Sequence, residues 1–522
     1  MPVPEVAERP ARVPSGPRRR RAAWVFPGGV LLVALVACAP VLTTRYGYVD
    51  DYSLLFDDER GRGVASLGVG QGRPVAALLQ WLFLGLIDGV SGLVVMRLVS
   101  LLAFAAMGVL LGRAMLSRGY SAAAAWTVAV GLFALPSTAI MVAWSILFFG
   151  AVAALLGAAA AVLAVDPDEQ PRARPYLTSL VRRRTLLAAL LLCIAMLSYQ
   201  PSAMVFWPCA FLMLAAPSRR PDWRTLTLPV WTATAVGGAA LVVGFLGVKV
   251  GAVLSDDSTP RADLVTDPVN KVGYLLSEVV PYALFPWLLE ARLALGVTVT
   301  VLLGAGLLAT LRGRPADRLV MTALAGAAVV LGWLANLPIA ENAPYSRTAV
   351  GVMVATVVIV GVVVDGLVRS AGERGRRLVG PAVMAGVAVL AVAWTGDILR
   401  TYVTGPASTE LERVEEAVRA LPAGEPVTVL TAVPVETTLA PRTVSNEFGR
   451  STGVVYWALQ GVTELVYRDE NGEWPEPGRF AFPSDEDYLQ DRLRELPESG
   501  WVLDYQRVLV PTEGPAVYEV GP

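Results

Sequence analysis

Residues 74–90 read PVAALLQWLFLGLIDGV. The run is just long enough to cross about 30 Å of hydrocarbon, so its placement decides how the rest of the chain is threaded. Eleven other apolar stretches read as spans, at 22–43, 93–113, 121–139, 141–165, 185–199, 202–216, 229–253, 291–311, 319–337, 348–368 and 380–397. Suppose 74–90 lies flat on the membrane surface. The basic N-terminus, Arg18–Arg21, then shares a side with Arg113/Arg118, Arg172 to Arg184, Arg219/Arg220/Arg224, Arg312/Arg314/Arg318 and Arg369 to Arg377. The opposite loops hold mainly Arg261, Lys271 and Arg347 beyond the first loop. If 74–90 crossed instead, the five later clusters would move to the other side from Arg18–Arg21. Cation-rich loops stay in the cytoplasm, so 74–90 is read as an interfacial helix. The N-terminus is then cytoplasmic and the C-terminal tail extracytoplasmic.

Composition agrees with a membrane body. Only 17% of the 522 residues are charged and 55% are hydrophobic, against roughly 25% charged in soluble domains. The organisation expected is a basic cytoplasmic tail over 1–21, a transmembrane body over 22–397 and an extracytoplasmic domain over 398–522. Within the body, 44–92 is the first outer loop. The tail opens with STELERVEEAVRALP, in which Leu411, Val414, Val418 and Leu421 share one helical face. Thr409 and Glu412 have the spacing of a capping box. Strand-like runs follow at Val427 to Val433, Trp501 to Val510 and Val517 to Val520. The fold class expected is therefore an α-helical polytopic membrane protein with about eleven transmembrane helices and a small C-terminal α/β domain.

Several chemistries are closed. The chain contains no histidine, which removes His-ligated metals, Ser-His triads and imidazole bases. A general base must be a carboxylate, Lys, Tyr or Cys. Cys38, Cys193 and Cys209 all lie in apolar runs and read as buried side chains. Leu35-Val36-Ala37-Cys38 matches a lipoprotein cleavage box, but the first apolar run is read as an uncleaved helix. A net charge of −1 gives no case for nucleic acid. Arg far outnumbers Lys, and Ala, Val and Gly abound, as in GC-rich bacterial genomes.

The first outer loop is the chemically richest segment. Asp50 and Asp51 stand just beyond the first span. A carboxylate at the membrane surface can take a proton from a hydroxyl, and a neighbouring carboxylate can raise its pKa or help hold a cation. Asp57, Asp58 and Glu59 read as solvated loop acids. Arg62 and Arg73 supply guanidinium groups suited to phosphate oxygens. Gly70, Gly72 and Pro74 set a turn, and Trp81 and Phe83 suit an interface. Further outward-facing cations are Arg45, Arg97 and Arg347. Arg347 lies in PIAENAPYSRTA with Glu341, Asn342 and Tyr345. It could bind a phosphate or merely anchor a helix end by snorkelling. Tyr199-Gln200-Pro201 offers polar groups at another outer turn, or simply a proline-broken hairpin. Tyr52, Glu341, Asn342, Tyr345, Tyr199 and Gln200 are the candidate contacts to a sugar or acceptor.

The order of features is a basic N-terminus, a first helix, an outward Asp-Asp, a Gly-Arg-Pro turn, a surface-lying apolar helix, and then VVMRLVSLLAFAAMGVLLGRAML (94–116). It resembles the membrane glycosyltransferases of the GT-C superfamily, in which an acidic pair in the first outer loop precedes juxtamembrane helices. The second span there begins with an Arg near its outer end, here Arg97. LSYQPSAMVFW (Leu197 to Trp207) and the Gly-Arg-Pro turn are similar to the O-antigen glucosyltransferases of serotype conversion. The likeness covers the membrane body and is strongest over 24–115. It implies a polyprenyl-phosphate-linked sugar as donor and a glycan or lipid-linked acceptor, in a bacterial cytoplasmic membrane. It makes Asp51, with Asp50, the catalytic acidic pair, and Arg73, Arg97, Arg347 and Arg62 the donor-phosphate cations. Some relatives hold a divalent metal at that pair, so a metal there stays an open expectation and no other cofactor is implied. Two other readings remain. An O-antigen-type polymerase or ligase would shift weight to mid-chain arginines. A lipid-sugar transporter or flippase would carry ionisable groups at mid-membrane, where these spans are nearly charge-free.

Overall fold

The structure is a computed structural model. It describes residues 17–56, 68–84, 86–87, 89–165, 180–218, 223–255, 263–284, 293–311, 314–342, 346–430, 456–476, 478–482, 500–509 and 516–520. Sixteen main helices order it. They are α1 (Pro17–Ala37), α2 (Asp50–Phe56), α3 (Pro74–Leu84), α4 (Leu93–Ser117), α5 (Ala122–Gly131), α6 (Pro136–Ala143), α7 (Phe148–Ala164), α8 (Arg183–Ser198), α9 (Phe206–Leu214), α10 (Trp223–Ser255), α11 (Leu293–Thr310), α12 (Pro315–Leu331), α13 (Val350–Ser370), α14 (Gly372–Leu399), α15 (Gly405–Arg419) and α16 (Tyr456–Asn471).

The chain is an α-helical, multi-pass membrane protein with a small C-terminal α/β domain. Helices occupy each stretch read as a span, but length and composition alone qualify fewer than eleven. Among the described residues, five helices are long and apolar enough to cross a membrane, or six if the bent pair Ala122–Ala134 and Pro136–Ala143 is one span. That pair departs most from expectation. The run 121–139 bends by 54° at Leu135, whose extended backbone precedes Pro136, because a residue before proline is pushed out of the helical region. The chain then turns at Trp144 and starts a second apolar helical segment, Ser145–Ala164. The eleven residues of α3 span about 16 Å at 1.5 Å per residue, roughly half of the hydrocarbon thickness.

Small residues bring helices of the bundle close together. Gly108 lies against the Ala129 backbone, and Gly332 and Gly351 face each other. Such residues let helix backbones approach closely where lipid removes the hydrophobic drive to associate.

The C-terminal domain is joined by helix rather than by loop. From α14 the chain passes through a π-turn at Arg400–Thr404 straight into α15. Thr409 therefore sits inside a helix, and the expected capping box is absent. Leu411, Val414 and Val418 form the buried face as the 3.6-residue period requires. Among the described residues four strands follow, β1 (Val427–Leu430), β2 (Phe480–Ala481), β3 (Gly500–Asp504) and β4 (Val517–Val520), in the order β2-β1-β3-β4. β1 runs parallel to β2 and β3, and β4 is antiparallel to β3. The strand expected over Trp501 to Val510 stops at Asp504. Residues Tyr505–Leu509 are helical, with Tyr505 and Val508 buried one turn apart. Residues 431–433 of the first strand-like run lie outside the described residues.

Candidate functional site

The turn that presents the acidic pair is built from Tyr46-Gly47-Tyr48-Val49. Gly47 must be a glycine, because a Cβ there would stand 2.6 Å from Cζ of Tyr52. Val49 holds φ 46°, a left-handed conformation that a β-branched residue adopts only when its surroundings force it. The surroundings are hydrogen bonds. The Gly47 amide donates to the Tyr52 hydroxyl (3.1 Å), and the Tyr48 amide donates to Asp51 Oδ2 (3.1 Å). The result is helix α2, with both aspartates in its first turn, where the helix dipole favours anions.

The two aspartates then part ways. Asp51 is fully buried. Its Oδ2 also accepts from the Ser145 amide (3.3 Å) and its Oδ1 from the Ile146 amide (2.8 Å). It thus caps the start of Ser145–Ala164. Arg97, 1% exposed, lies 3.8 Å from Asp51 Oδ2. Its guanidinium also donates to Ser145 Oγ, Val41 O and Tyr46 O at 3.0, 3.4 and 2.6 Å, and stacks on the Tyr46 ring at 3.6 Å. Burial pushes the Asp51 carboxyl up to about 6, despite the opposing pull of Arg97 and the two amides. Asp51 and Arg97 therefore pin the turn. Neither is among the residues that line the cavity described next.

Asp50 does line it. A cavity of about 600 Å³ runs between Asp50, the Gly68–Arg73 turn, α3, Ile146 and Leu147, Tyr199-Gln200-Pro201, α10 and the segments 263–264, 333–341 and 347–348. Its polar lining carries three cations, Arg73, Lys249 and Arg347, and three carboxylates, Asp50, Asp263 and Glu341, with Gln71, Gln80, Gln200 and Asn336. Its apolar lining includes Phe149, Leu241, Phe245, Val248, Trp333 and Ile339.

Each wall has a sequence reason. The turn before Pro74 folds through Gly72 at φ 71°, with Gly72 N–H donating to Val69 O and Arg73 N–H to Gly68 O, both at 2.8 Å. A Cβ on Gly72 would run into the Val248 backbone, and one on Gly251 into Val69 O, so the glycines seat the turn directly on α10. Arg73 is thereby aimed. Its Nε donates to Gln200 Oε1 (3.1 Å), its guanidinium also donates to Gln71 Oε1 (2.7 Å), and it stacks over Tyr199 at 4.8 Å. Gln200 is itself fixed by donating to Gly72 O. The far wall is two loops sewn together by an antiparallel bridge between Leu264 and Ile339. Val265 N–H donates to Pro338 O and Ala340 N–H to Asp263 O. Lys271 braces them, donating to Glu341 O (2.6 Å) and Asn342 Oδ1 (2.8 Å) beneath Trp333. Burial holds this ammonium below its ordinary range. Arg347 stacks on Trp144 at 4.7 Å.

Of the residues read from sequence, Asp50, Arg73, Tyr199, Gln200, Glu341 and Arg347 meet at the cavity. Asn342 stands behind it on Lys271, and Tyr52 is buried against the C-terminal domain. Arg62 and Tyr345 lie outside the described residues. Sequence reasoning missed Lys249, Asp263, Gln71, Gln80 and Asn336. Lys249 carried one available signal, as one of only two lysines in the chain.

A divalent metal shared by Asp50 and Asp51 does not fit these donors. Both Asp51 oxygens already accept backbone N–H groups beside a guanidinium. Among the described residues no group of three or more His, Cys, Asp or Glu could hold a metal ion.

Comparison with solved structures finds ArnT from Cupriavidus metallidurans in two forms. The form bound to undecaprenyl phosphate gives a TM-score of 0.45 and 14% identity, covering 91% of this chain and 88% of that one. The apo form gives 0.42 and 13%, covering 90% and 87%. No family model matches the chain, and no curated protein matches it.

Proposed function

We propose that this chain is a membrane glycosyltransferase that moves a sugar from a polyprenyl-phosphate donor to a hydroxyl of a glycan or lipid-linked acceptor. It works at the extracytoplasmic face of the cytoplasmic membrane, with its N-terminus in the cytoplasm. The observation that carries the reading is that the first-loop turn presents a carboxylate, Asp50, to the same amphipathic cavity as Arg73, Lys249 and Arg347. Asp50 takes the proton of the acceptor hydroxyl. The resulting oxygen bonds to the anomeric carbon, and that carbon's bond to the lipid-phosphate oxygen breaks. The phosphate leaves as an anion, which fixed cations stabilise without reorganising. Arg73 is suited to this because Gln71, Gln200 and Tyr199 already hold its plane. The apolar wall from α10 supplies a surface for the first isoprene units.

The test is transfer by purified chain in lipid nanodiscs, with polyprenyl-phosphate-linked pentoses and hexoses as donors and envelope glycolipids as acceptors. Asp50→Asn keeps the shape and removes the base. It is expected to lower turnover by about 10²–10⁴-fold while the protein reaches the membrane in normal amounts. Full activity in Asp50→Asn overturns the assignment and moves an arginine-based polymerase mechanism ahead.

A further inference from the structure

The segment that carries Asp50 belongs to two bodies at once. Asp50 lines the cavity, but two residues later Tyr52 is 2% exposed and sits in the apolar core of the C-terminal domain. Leu411, Val414, Leu459, Val462 and Leu465 share that core. Val90 and Leu93, which lead into α4, join the same cluster. Outside it, Arg45 is ion-paired to Glu415 of α15 and, at 3.7 Å, to Asp469 of α16. The domain therefore grips the first loop on both sides of the acidic pair.

Tyr52 connects the grip to the turn. Its hydroxyl accepts from the Gly47 amide, and its ring fills the space that a Cβ on Gly47 would need. Between these two residues lies Val49, held at φ 46°. A conformation of that kind costs on the order of 1–3 kcal/mol and persists only where contacts over-determine it.

We infer that Tyr52 is a positioning residue through which the C-terminal domain holds the Val49 turn, and with it Asp50, in the geometry that reaction requires. The inference rests on the glycosyl-transfer reading above. The domain is then part of the catalytic apparatus rather than a cover over it. Tyr52 acts through Asp50 and does not touch substrate, which replaces its expected role as a sugar contact.

Two variants of the full chain test this in nanodiscs, with Asp50→Asn as reference. Tyr52→Phe keeps the ring in its core and deletes the acceptor of the Gly47 amide. It is expected to lower kcat about tenfold with donor KM within twofold of wild type, and hydrogen exchange over residues 46–52 should quicken. Tyr52→Ala also removes the anchor and should lose more in kcat. A Tyr52→Phe enzyme with unchanged kcat overturns the inference, as does one in which only KM moves. If Asp50→Asn is inactive while Tyr52→Phe has wild-type kcat, the inference alone fails. If Asp50→Asn is fully active, the functional reading fails first.

Discussion

Asp50 and Asp51 are neighbours in sequence and opposites in environment, and the contrast gives separable predictions. Asp51→Asn replaces an acceptor oxygen by an N–H₂ group facing backbone amides that also donate. An unmet buried donor costs about 1–3 kcal/mol. Asp51→Asn is therefore expected to lower the yield and melting temperature of purified protein, where Asp50→Asn leaves both near wild type. Asp51 also predicts a pH dependence. Its carboxyl sits at about 6 in the folded chain against an ordinary 3.8. Between those values the folded chain holds a proton that the unfolded chain has released. This group's contribution is thus complete below about pH 4 and is lost as pH rises through 6. The melting temperature of the wild type, less that of Asp51→Asn, should fall between pH 4.5 and 7. A flat difference would remove the linkage argument. The sequence pointed to the Asp-Asp pair but not to which member faces the cavity. That choice depends on a left-handed Val49 and on amides of residues 145–146, far along the chain, and neither has a local signature. The burial of Arg97 beside Asp51 had no local signature for the same reason. A cation near a helix end reads as surface-facing, until the turn that buries it is known.

At the scale of elements, the glycines of GVGQGRP decide how close the first loop comes to α10. Gly251 of α10 meets Val69 O, and Gly72 meets the Val248 backbone, so neither neighbour is a flexible side-chain tip that could swing away. Overpacking at such contacts costs typically about 1–3 kcal/mol. Gly251→Ala is expected to reduce melting temperature and, by lifting the turn that aims Arg73, to raise the donor KM. Gly238→Ala, which has open space around its Cβ position, should change neither and serves as control. A Gly251→Ala enzyme with wild-type stability and KM would show that the turn does not need this approach. The turn itself was legible from Gly70, Gly72 and Pro74. Its seat on α10 was not, because nothing in the 247–251 segment distinguishes a glycine that receives a loop from one that faces a neighbouring helix. The helices were legible from apolar length alone. The bend at Pro136 and the helical run from α14 into α15 were not. An apolar run hides a break whose polar groups are satisfied internally, and GPAST reads as a helix start rather than as a helix interior.

For the whole molecule, the threading makes a prediction that rests on charge rather than on coordinates. The bundle carries the C-terminal domain at the end where the first loop, the 263–265 segment and the 338–340 segment meet. Arg45 and Tyr52 hold domain and loop together there. These parts therefore share one side of the membrane. Which side follows from the arginines. Threaded with 74–90 on the surface, the clusters at 18–21, 113–118, 172–184, 219–224, 312–318 and 369–377 are all expected at the opposite ends of the apolar stretches. Translocating so many guanidinium groups is disfavoured in short loops. The domain end is accordingly predicted to be extracytoplasmic. Single cysteines introduced at Arg220 and Glu473, in a chain whose Cys38, Cys193 and Cys209 are replaced by Ala, test this in intact cells with a thiol reagent that does not cross the membrane. Position 473 is exposed on the domain and should label from outside, whereas position 220 should label only after the cells are opened. Both cysteines should react with a permeant reagent, which separates protection by the membrane from burial. Labelling at 220 from outside would invert the thread. It would place the cavity on the cytoplasmic side, where nucleotide sugars are available and a lipid-linked donor is no longer required by location.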